Sequence, residues 1–376
     1  MPTSTEAYVA RGGNSLKLEK VTYADLDGNE VLVDIVASSV CHSDVKAAGG
    51  SFHMRPPLII GHEAAGYVKA VGPTATYVKP GDAVILAFAS CENCRRCNSG
   101  KSPYCENMFG LNFTGKRSGG GEGVVVVCEG EEEVKGLFFG QSSMSRIALV
   151  RESCCVKVEC ARDELVLFAS LGCGIETGAG AILNVAKPAV GSSIAVFGGG
   201  AVGLSAILAA KLTSPACLVL VDNSQTKLDM IPKELLEGVH IVNSTNKSPE
   251  DVAAELKKLT PSGAGMDFAM DGVGNEIVLL TAHLSLDKLG TALIVGGSPN
   301  AKQQTKIENH LVNGLTTRGM HQGDSVPRVM LPHLIQLWRA GKFPFDKLLT
   351  VFKFEELHEA LDEMHQGKLI KPLLVV

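Results

Sequence analysis

Short apolar runs alternate with longer segments of helical character in the second half of the chain. Residues 194–197 form one such run, and "CLVLVD" (217–222) forms the next. "GMDFAMDGVG" (265–274) and "GTALIVGG" (290–297) continue the series. Runs of this length, bounded by turns, are typical of strands buried on both faces of a parallel sheet. The pattern predicts an α/β fold with a doubly wound parallel sheet over residues 174–318.

The remaining segments are interpreted from the same pattern. The stretch "SPEDVAAELKKLT" predicts a helix with Ser248 as its N-cap. The final segment, residues 319–376, ends in the predicted strand "KPLLVV", and we expect it to return to the first domain, residues 1–173. The Gly-rich and acidic stretch 117–136 predicts an exposed excursion, or a hairpin around Val124–Val127.

Composition excludes several classes of partner. The chain has 376 residues, enough for two domains, and a net charge of −5, so no broad basic surface for nucleic acid or an anionic membrane is expected. Its start, "MPTSTEAYVARGG", lacks the apolar core of a signal peptide, which predicts a cytoplasmic protein with reduced thiols. Eleven cysteines, an odd number, also fit poorly with full disulfide pairing.

Four of these cysteines fall within fifteen residues, in "CENCRRCNSGKSPYC". The spacing C-x2-C-x2-C-x7-C is formed by Cys91, Cys94, Cys97 and Cys105. Four thiolates close a tetrahedral shell, and the intervening Arg and Lys residues would offset the negative charge. The cluster predicts a structural zinc site, with reactive or incidental thiols as the alternative.

A second set of candidate metal ligands is spread over three stretches. "SSVCHSDVKAAGG", "IIGHEAAGYVKAVG" and "LGCGIETGAGA" contribute Cys41, His62 and Cys173. Two thiolates and an imidazole leave a fourth position open, which is the shell of a catalytic zinc. Each stretch alone is weak evidence, since a Gly-His-Glu turn or a cysteine in a Gly-rich loop is more often a packing feature.

Polar neighbours of these ligands are candidates for supporting roles. Asp44 and Glu63 are placed to act as carboxylates that support the zinc ligands. Ser43 is a candidate to pass a proton away from a zinc-bound hydroxyl group.

A glycine motif follows the first apolar run at once. Gly198, Gly200 and Gly203 give the spacing G-x-G-x-x-G, and the next apolar run ends at Asp222. Such glycines let a pyrophosphate approach a helix N-terminus, and an acid roughly 20 residues further on accepts hydrogen bonds from ribose hydroxyls. Because Asp222 would repel a 2′-phosphate, the motif predicts NAD(H) rather than NADP(H), bound to a Rossmann domain.

Together these motifs resemble one family along nearly the whole chain. "CHSD", "GHEAAG", the four-cysteine segment, "GCGIETGAGA" and "VFGGGAVGL" occur in the order found in zinc-dependent medium-chain alcohol dehydrogenases. "FFGQSSMSRIALV" and "FPFDKLL" are similar to the aryl-alcohol (benzyl-alcohol) dehydrogenase branch. The resemblance implies a GroES-like, β-rich catalytic domain, two zinc ions per chain, and a homodimer or homotetramer with "GTALIVGG" at the edge where nucleotide domains pair.

The resemblance also implies roles for individual residues. Cys41, His62 and Cys173 would bind the catalytic zinc, with Asp44 orienting His62 and Glu63 close behind the metal. Ser43 would link the substrate oxygen to the nicotinamide ribose. The predicted contacts to the rest of the cofactor are made by His42 (phosphate), Asp222 and Lys227 (adenosine ribose), and Lys371 (pyrophosphate).

Two departures from the family pattern affect the predicted activity. Many relatives have a histidine shortly after "CxxD" to end the proton relay, whereas this chain has Val45, Lys46 and Ala47. Ala87 stands where several relatives that act on small alcohols have a bulky aromatic residue, which favours a larger substrate. We therefore expect a dehydrogenase or aldehyde reductase of aromatic or bulky primary alcohols; a biosynthetic reductase of a natural-product aldehyde and a catalytically silent NAD- and zinc-binding protein are the alternatives.

Overall fold

The strands described before residue 160 belong to two sheets, in which they pair with one another antiparallel. The fold is a computed structural model that describes residues 2–13, 15–117, 132–298 and 300–376, with the backbone of 126–128. The first ten strands are β1 (Thr3–Gly12), β2 (Ser15–Tyr23), β3 (Glu30–Ser39), β4 (Leu58–Ile59), β5 (Ala64–Val71), β6 (Ala83–Leu86), β7 (Val126–Cys128), β8 (Glu133–Val134), β9 (Ile147–Arg151) and β10 (Cys155–Lys157).

Eight further strands follow along the chain. Six of them form the parallel sheet, and two lie near the end of the described chain. They are β11 (Ser193–Phe197), β12 (Cys217–Asp222), β13 (His240–Asn243), β14 (Met266–Asp271), β15 (Leu286–Ile294), β16 (Thr316–Gly319), β17 (Leu349–Lys353) and β18 (Lys371–Val375).

Helices lie between and around these strands. In chain order they are α1 (His42–Ala48), α2 (Arg95–Asn98), α3 (Met108–Asn112), α4 (Arg162–Phe168), α5 (Glu176–Gly180), α6 (Ala201–Lys211), α7 (Gln225–Met230), α8 (Pro249–Leu259), α9 (Glu276–Ser285), α10 (Ile307–Asn313), α11 (Pro327–Arg339) and α12 (Leu357–His365). Wider helical turns at Leu171–Ile175 and Ala181–Ala186 flank α5.

The parallel sheet has the order β13-β12-β11-β14-β15-β16, with every neighbouring pair parallel. Counted from β11, this is the 3-2-1-4-5-6 order of a dinucleotide-binding sheet. The predicted doubly wound parallel sheet is confirmed. Ser248 caps α8 as predicted, with its Oγ accepting a hydrogen bond from the Asp251 N–H at 3.1 Å.

One prediction about this sheet is wrong. The strand in "GTALIVGG" is not at the edge, because β15 lies between β14 and β16. The edge strand β16 consists of "TTRG", and its polar residues are only partly covered. A short polar run gives no signal in an apolar pattern, so it passed unnoticed in the sequence.

The other two sheets belong to the β-rich part of the chain. One has the order β4-β1-β2-β7-β8, and the other β10-β6-β5-β3-β18-β17, with β9 also paired to β3. The last two strands of the chain therefore join a sheet made from its beginning. Antiparallel β7 and β8 lie at the predicted hairpin, of which residues 118–125 and 129–131 fall outside the described part of the chain.

The helical run around α5 lies between the two parts of the protein. A Cβ atom built at Gly172 would lie 2.0 Å from the carbonyl oxygen of Leu86, and one at Gly178 would lie 2.0 Å from that of Val202. Both distances are too short for a Cβ atom, so only glycine fits at these two positions. The predicted boundary at 173/174 falls inside this run and that at 318/319 falls inside β16, so their positions stay predictions.

No single helix among the described residues is long and apolar enough to cross a membrane. Two helical segments separated by a bend, Arg162–Phe168 and Leu171–Ala186, are together long and apolar enough, judged by length and composition only.

Candidate metal and dinucleotide sites

Three distant stretches of sequence meet beside the α5 run. Cys41 caps the N-terminus of α1, His62 precedes β5, and Cys173 lies in the turn Leu171–Ile175. One ligand atom from each of these residues and from Glu63 lies within 4.8 Å of the others. His62 Nε2 is buried without a hydrogen-bond partner among the described residues. Two sulfurs and a free imidazole nitrogen at this separation fit Zn²⁺.

Asp44 connects two of these stretches. Its Oδ1 lies 3.0 Å from His62 Nδ1 and accepts a hydrogen bond from the Gly61 N–H at 2.9 Å. Its Oδ2 accepts one from the Cys41 N–H at 2.9 Å. A carboxylate can only accept, so Nδ1 carries the proton and the lone pair is on Nε2. Asp44 therefore fixes both the tautomer of His62 and its position relative to Cys41.

The pKa values of the two cysteine thiols are shifted in opposite directions. A hydrogen bond from Cys173 lowers the pKa of Cys41 well below its usual value. The same interaction raises the pKa of Cys173 well above its usual value. One thiolate thus forms readily beside a buried imidazole, which suits a metal that binds deprotonated sulfur.

A buried ion pair lies behind the cluster. The Lys371 ammonium is 2.7 Å from Glu63 Oε2 and donates to the carbonyl oxygen of Val40 at 3.3 Å. Glu63 Oε1 accepts a hydrogen bond from the Gly174 N–H at 3.3 Å. Burial opposes the charge on Lys371, but Glu63 and Cys41 raise its pKa above the usual value. Sequence reasoning missed this pairing, and the pyrophosphate contact of Lys371 stays a prediction.

His42 and Ser43 occupy the first turn of α1, with His42 exposed and Ser43 half-buried. Partial burial lowers the pKa of His42; Cys41 opposes this shift, and the nearby positive charges of Lys227, Lys371 and His365 lower the pKa further. The stem of Lys227 lies against Gly367, where an added Cβ atom would be 3.3 Å away. Basic groups from both parts of the chain therefore gather near the start of α1, which would suit a phosphate.

The glycine motif forms the turn between β11 and α6. Gly198 has a φ angle of 103°, and Gly200 caps α6. A Cβ atom at Gly203 would lie 1.8 Å from the Gly198 carbonyl oxygen, so only glycine fits there. Asp222, at the end of β12, accepts hydrogen bonds from the N–H groups of Gly199 at 2.7 Å and Ser224 at 2.8 Å. A cavity at the carboxyl ends of these strands includes Gly198 and Asp222 in its lining.

The four-cysteine segment also brings its sulfurs together. All four lie within 4.8 Å of one another: Cys91, Cys94, Cys97 and Cys105. The Cys91–Cys97 and Cys94–Cys97 sulfurs are 4.0 and 3.5 Å apart. Sulfurs bound tetrahedrally to zinc at about 2.3 Å would be about 3.8 Å apart, whereas a disulfide requires about 2.05 Å. Backbone N–H groups of Glu106 and Cys97 lower the pKa of Cys94 to about 6.

This segment packs on the loop that follows β16. Tyr104 donates a hydrogen bond to Asp324 Oδ1 at 2.6 Å, and Ser102 donates to the carbonyl oxygen of Ser325 at 3.3 Å. His321 Nδ1 lies 3.2 Å from the carbonyl oxygen of Pro103. The four-cysteine segment is therefore tied to the loop that follows the edge strand of the parallel sheet.

Aromatic side chains form a wall from the Cys41 cluster towards the surface. Phe139 lies with its ring stacked on His62, and Phe113 packs edge-on against Phe139 at 4.9 Å. Phe52 contacts both phenylalanines, and the exposed Phe109 contacts Phe113. Next to this wall His53 is exposed beside Phe109, whereas Met54 is buried. These phenylalanines come from three separate stretches of the chain, so no pattern in the sequence indicates that they meet in one wall.

Comparisons with known proteins agree with this arrangement. Residues 27–160 match the family described as "Alcohol dehydrogenase GroES-like domain", and residues 201–338 match "Zinc-binding dehydrogenase". The chain belongs to the zinc-dependent medium-chain alcohol dehydrogenases. This confirms the family, the GroES-like and Rossmann fold class, and the assignment as an oxidoreductase.

Several relatives of this alcohol dehydrogenase cover its whole length. A protein named geraniol dehydrogenase from Castellaniella defragrans is 36% identical over 99% of this chain and 98% of the relative. A solved structure named alcohol dehydrogenase zinc-binding domain protein, from Burkholderia ambifaria, has 35% identity and a TM-score of 0.92, with 100% of both chains covered. Benzyl alcohol dehydrogenase from Acinetobacter calcoaceticus has 33% identity and a TM-score of 0.90, covering 100% of this chain and 99% of the other.

Proposed function

We propose that this alcohol dehydrogenase uses zinc and NAD(H) to interconvert aromatic or similarly bulky primary alcohols and their aldehydes. The observation that carries the proposal is the Cys41, His62 and Cys173 cluster beside the phenylalanine wall. The cluster supplies a metal site with an open position, and the wall supplies an apolar surface for a large substrate group.

Zinc held by Cys41, His62 and Cys173 would supply Lewis acidity, which lowers the pKa of a substrate hydroxyl towards neutrality. Asp44 keeps His62 Nε2 free for that purpose, because it holds the proton on Nδ1. The Lys371–Glu63 pair balances charge behind the ligands. The second zinc is assigned to Cys91, Cys94, Cys97 and Cys105, where four thiolates leave no position for substrate.

Ser43 receives the hydroxyl proton and passes it towards the nicotinamide ribose and water. Its half-buried place in the first turn of α1, two residues after Cys41, is compatible with contact to both substrate and solvent. No histidine follows in α1, and the Lys46 ammonium points instead to the carbonyl oxygen of Gly297, 3.4 Å away. The relay therefore ends at the ribose hydroxyl and water.

NAD(H) is proposed as the cofactor because Asp222 ends β12 beside Gly199, where an adenosine ribose would bind. The carboxylate accepts hydrogen bonds from ribose hydroxyls and repels a 2′-phosphate. Lys227 is proposed to flank the adenosine ribose together with Asp222, and His42 and Lys371 to contact the phosphates. Hydride transfer is the chemistry of the nicotinamide, and the protein supplies its position.

The phenylalanine wall supports a bulky apolar substrate, and flat rings pack well against aromatic side chains. Benzyl alcohol, named for one relative, fits this description. A second candidate is an allylic isoprenoid alcohol, because a 36% identical relative is named geraniol dehydrogenase. A natural-product aldehyde reduced in the opposite direction would use the same wall.

Assembly and location are proposed on separate grounds. Exposed aliphatic side chains lie on α10 and in the first half of β15, among them Leu289 (80% exposed), Ile307 and Leu311. They lie near the edge strand β16, which supports a homodimer or homotetramer formed through the nucleotide domains. We place the protein in the cytoplasm, with neither nucleic acid nor a membrane as partner.

The test combines zinc analysis with NADH absorbance. Purified protein is assayed for zinc and for turnover of benzyl alcohol, cinnamyl alcohol, geraniol and ethanol with NAD and NADP. We expect two zincs per chain, a preference for NAD and much faster turnover of the bulky alcohols. Asp222→Ala should lose the preference for NAD while keeping the ranking of alcohols.

Each other outcome has a definite meaning. A preference for NADP would contradict the role of Asp222, and geraniol ahead of both aryl alcohols would select the isoprenoid substrate. No turnover with two zincs bound would support a catalytically silent protein. Reduction of a complex aldehyde alone would identify a biosynthetic reductase.

A further inference from the structure

The segment Leu137–Ser142 has an unusual backbone. Leu137, Phe139 and Ser142 have φ angles of 59°, 52° and 49°, a region that residues with a Cβ atom rarely occupy. For a residue as bulky as phenylalanine this conformation is unfavourable and persists only when surrounding contacts enforce it. Conformations of this kind concentrate at functional sites.

Hydrogen bonds hold the segment in this shape. The Gly140 N–H donates to the carbonyl oxygen of Leu137 at 2.8 Å, and the Ser142 N–H donates to that of Phe138 at 3.0 Å. Ser142 Oγ accepts from the Phe138 N–H at 2.9 Å and donates to the carbonyl oxygen of Ile59 at 2.7 Å. The turn is therefore rigid and is anchored to β4.

The segment contacts His62 at three points, of which one is the Phe138 ring, edge-on to the imidazole at 5.6 Å. The Phe139 and His62 rings are stacked, with centroids 4.4 Å apart and planes at 21°. Gln141 Nε2 donates to the carbonyl oxygen of His62 at 2.9 Å and to that of Ala87 at 2.8 Å. Asp44 contacts only the ring edge, at Nδ1. The face of the imidazole is thus covered by Phe139, which is 5% exposed.

We propose that Phe139 is a positioning residue for His62, whose stacked ring restricts rotation of the imidazole and keeps Nε2 directed between Cys41 and Cys173. The torsion that turns a histidine ring is broad, so one hydrogen bond to Asp44 leaves it partly free. A flat ring in near-parallel contact removes that freedom. This inference rests on the proposed zinc site and explains why the strained backbone of Leu137–Ser142 is retained.

The test compares side chains with and without an aromatic ring at position 139. Phe139→Leu keeps an apolar side chain without a ring, and Phe139→Tyr keeps the ring. Phe113→Leu is the matched control, since its ring packs against Phe139 and its ring contacts among the described residues do not include His62. The readouts are the rate of zinc release to a chromogenic chelator and the visible spectrum of the Co²⁺-substituted protein.

We expect Phe139→Leu to release one of its two zincs about tenfold faster and to shift the Co²⁺ bands, as loss of groups that orient metal ligands commonly does. Phe139→Tyr and Phe113→Leu should stay within about twofold of the parent protein, well below that loss. If Phe139→Leu and Phe113→Leu both bind two zincs and have equal release rates and spectra, the proposed role of Phe139 is overturned, whereas the zinc site is not. A parent protein that binds only one zinc would overturn the zinc site as well.

Discussion

The two cysteine clusters reach similar geometry by different routes. The four-cysteine segment takes all its ligands from fifteen residues, so chain spacing alone brings its sulfurs together. The other cluster combines Cys41, His62 and Cys173, which only the packing of α1, β5 and the α5 run unites. A closed local site can be recognised in a sequence, whereas an open site for chemistry depends on the tertiary structure.

Their surroundings differ as much as their ligands. Backbone N–H groups donate to the sulfurs of the four-cysteine segment, as Cys91 N does to Cys105 Sγ at 3.3 Å. The Cys41 cluster is instead surrounded by buried side chains that carry charge: Asp44, Glu63 and Lys371. Side-chain charges can tune protonation and ligand orientation, and they can be altered one at a time by mutation.

The largest effect is expected when a ligand of the Cys41 cluster is removed. Cys173→Ser should lower kcat/KM at least about 1000-fold, since several kcal/mol of Lewis-acid assistance would be lost. Zinc content should fall from two to one per chain, with thermal stability nearly unchanged. Steady-state kinetics and zinc analysis measure this, with Cys160→Ser, outside both clusters, as the control. Retained activity at one zinc per chain would contradict the assignment.

Removing a cysteine of the four-cysteine segment should have the opposite result: a loss of stability with most of the activity kept. Cys97→Ser should remove the other zinc and lower the free energy of unfolding by roughly 3–5 kcal/mol, because metal binding stabilises the local fold. The folded fraction should keep most of its kcat. Denaturant unfolding together with activity per folded molecule measures both. A collapse of kcat at full folding would mean that the two clusters are not functionally separate.

A smaller effect is expected where the four-cysteine segment contacts the loop that follows β16. Tyr104→Phe removes the hydrogen bond to Asp324, an acceptor that stays paired with Arg318 at 2.7 Å. The expected loss is about 1–2 kcal/mol of unfolding free energy, with both zincs retained. Differential scanning calorimetry would detect it, and loss of zinc in this variant would contradict the view that Tyr104 only holds the segment in place.

The smallest predicted effect concerns a buried acid next to the other cluster. Glu176 is fully buried in α5, and neither of its carboxylate oxygens has a hydrogen-bond partner among the described residues. Burial, with a contribution from Glu63, raises its pKa well above the usual value. The folded protein therefore favours the protonated form, so this group's contribution to stability is present at low pH and lost as pH rises past the pKa of the unfolded chain.

Glu176→Gln tests this contribution. The variant should gain about 1 kcal/mol of unfolding free energy above neutral pH, because no buried group then loses a proton or forces a charge into the core. The gain should disappear near pH 4, where the acid is protonated in both states. Urea unfolding from pH 4 to 9 measures the difference, and a gain that does not vary with pH would contradict the titration.

Parts of the fold were predictable because their signals are local. The apolar runs at β11, β12 and β14 and the glycines of the α6 turn were recognised correctly, since buried parallel strands and tight turns restrict residue type. The edge strand β16 was missed because its exposed polar residues carry no such restriction. The Lys371–Glu63 pair was missed because its partners lie at opposite ends of the chain.

Residue identities and their short spacings were enough to predict the family, the glycine turn between β11 and α6, and the ligand types available for two metal sites. These properties depend on residue identity at short spacing, where chain geometry leaves few alternatives. Only the tertiary structure decided that Phe139 stacks on His62, that Lys371 faces Glu63, and that the four-cysteine segment contacts Asp324. Such contacts join residues far apart in the chain, and their geometry is set by the packing of whole elements.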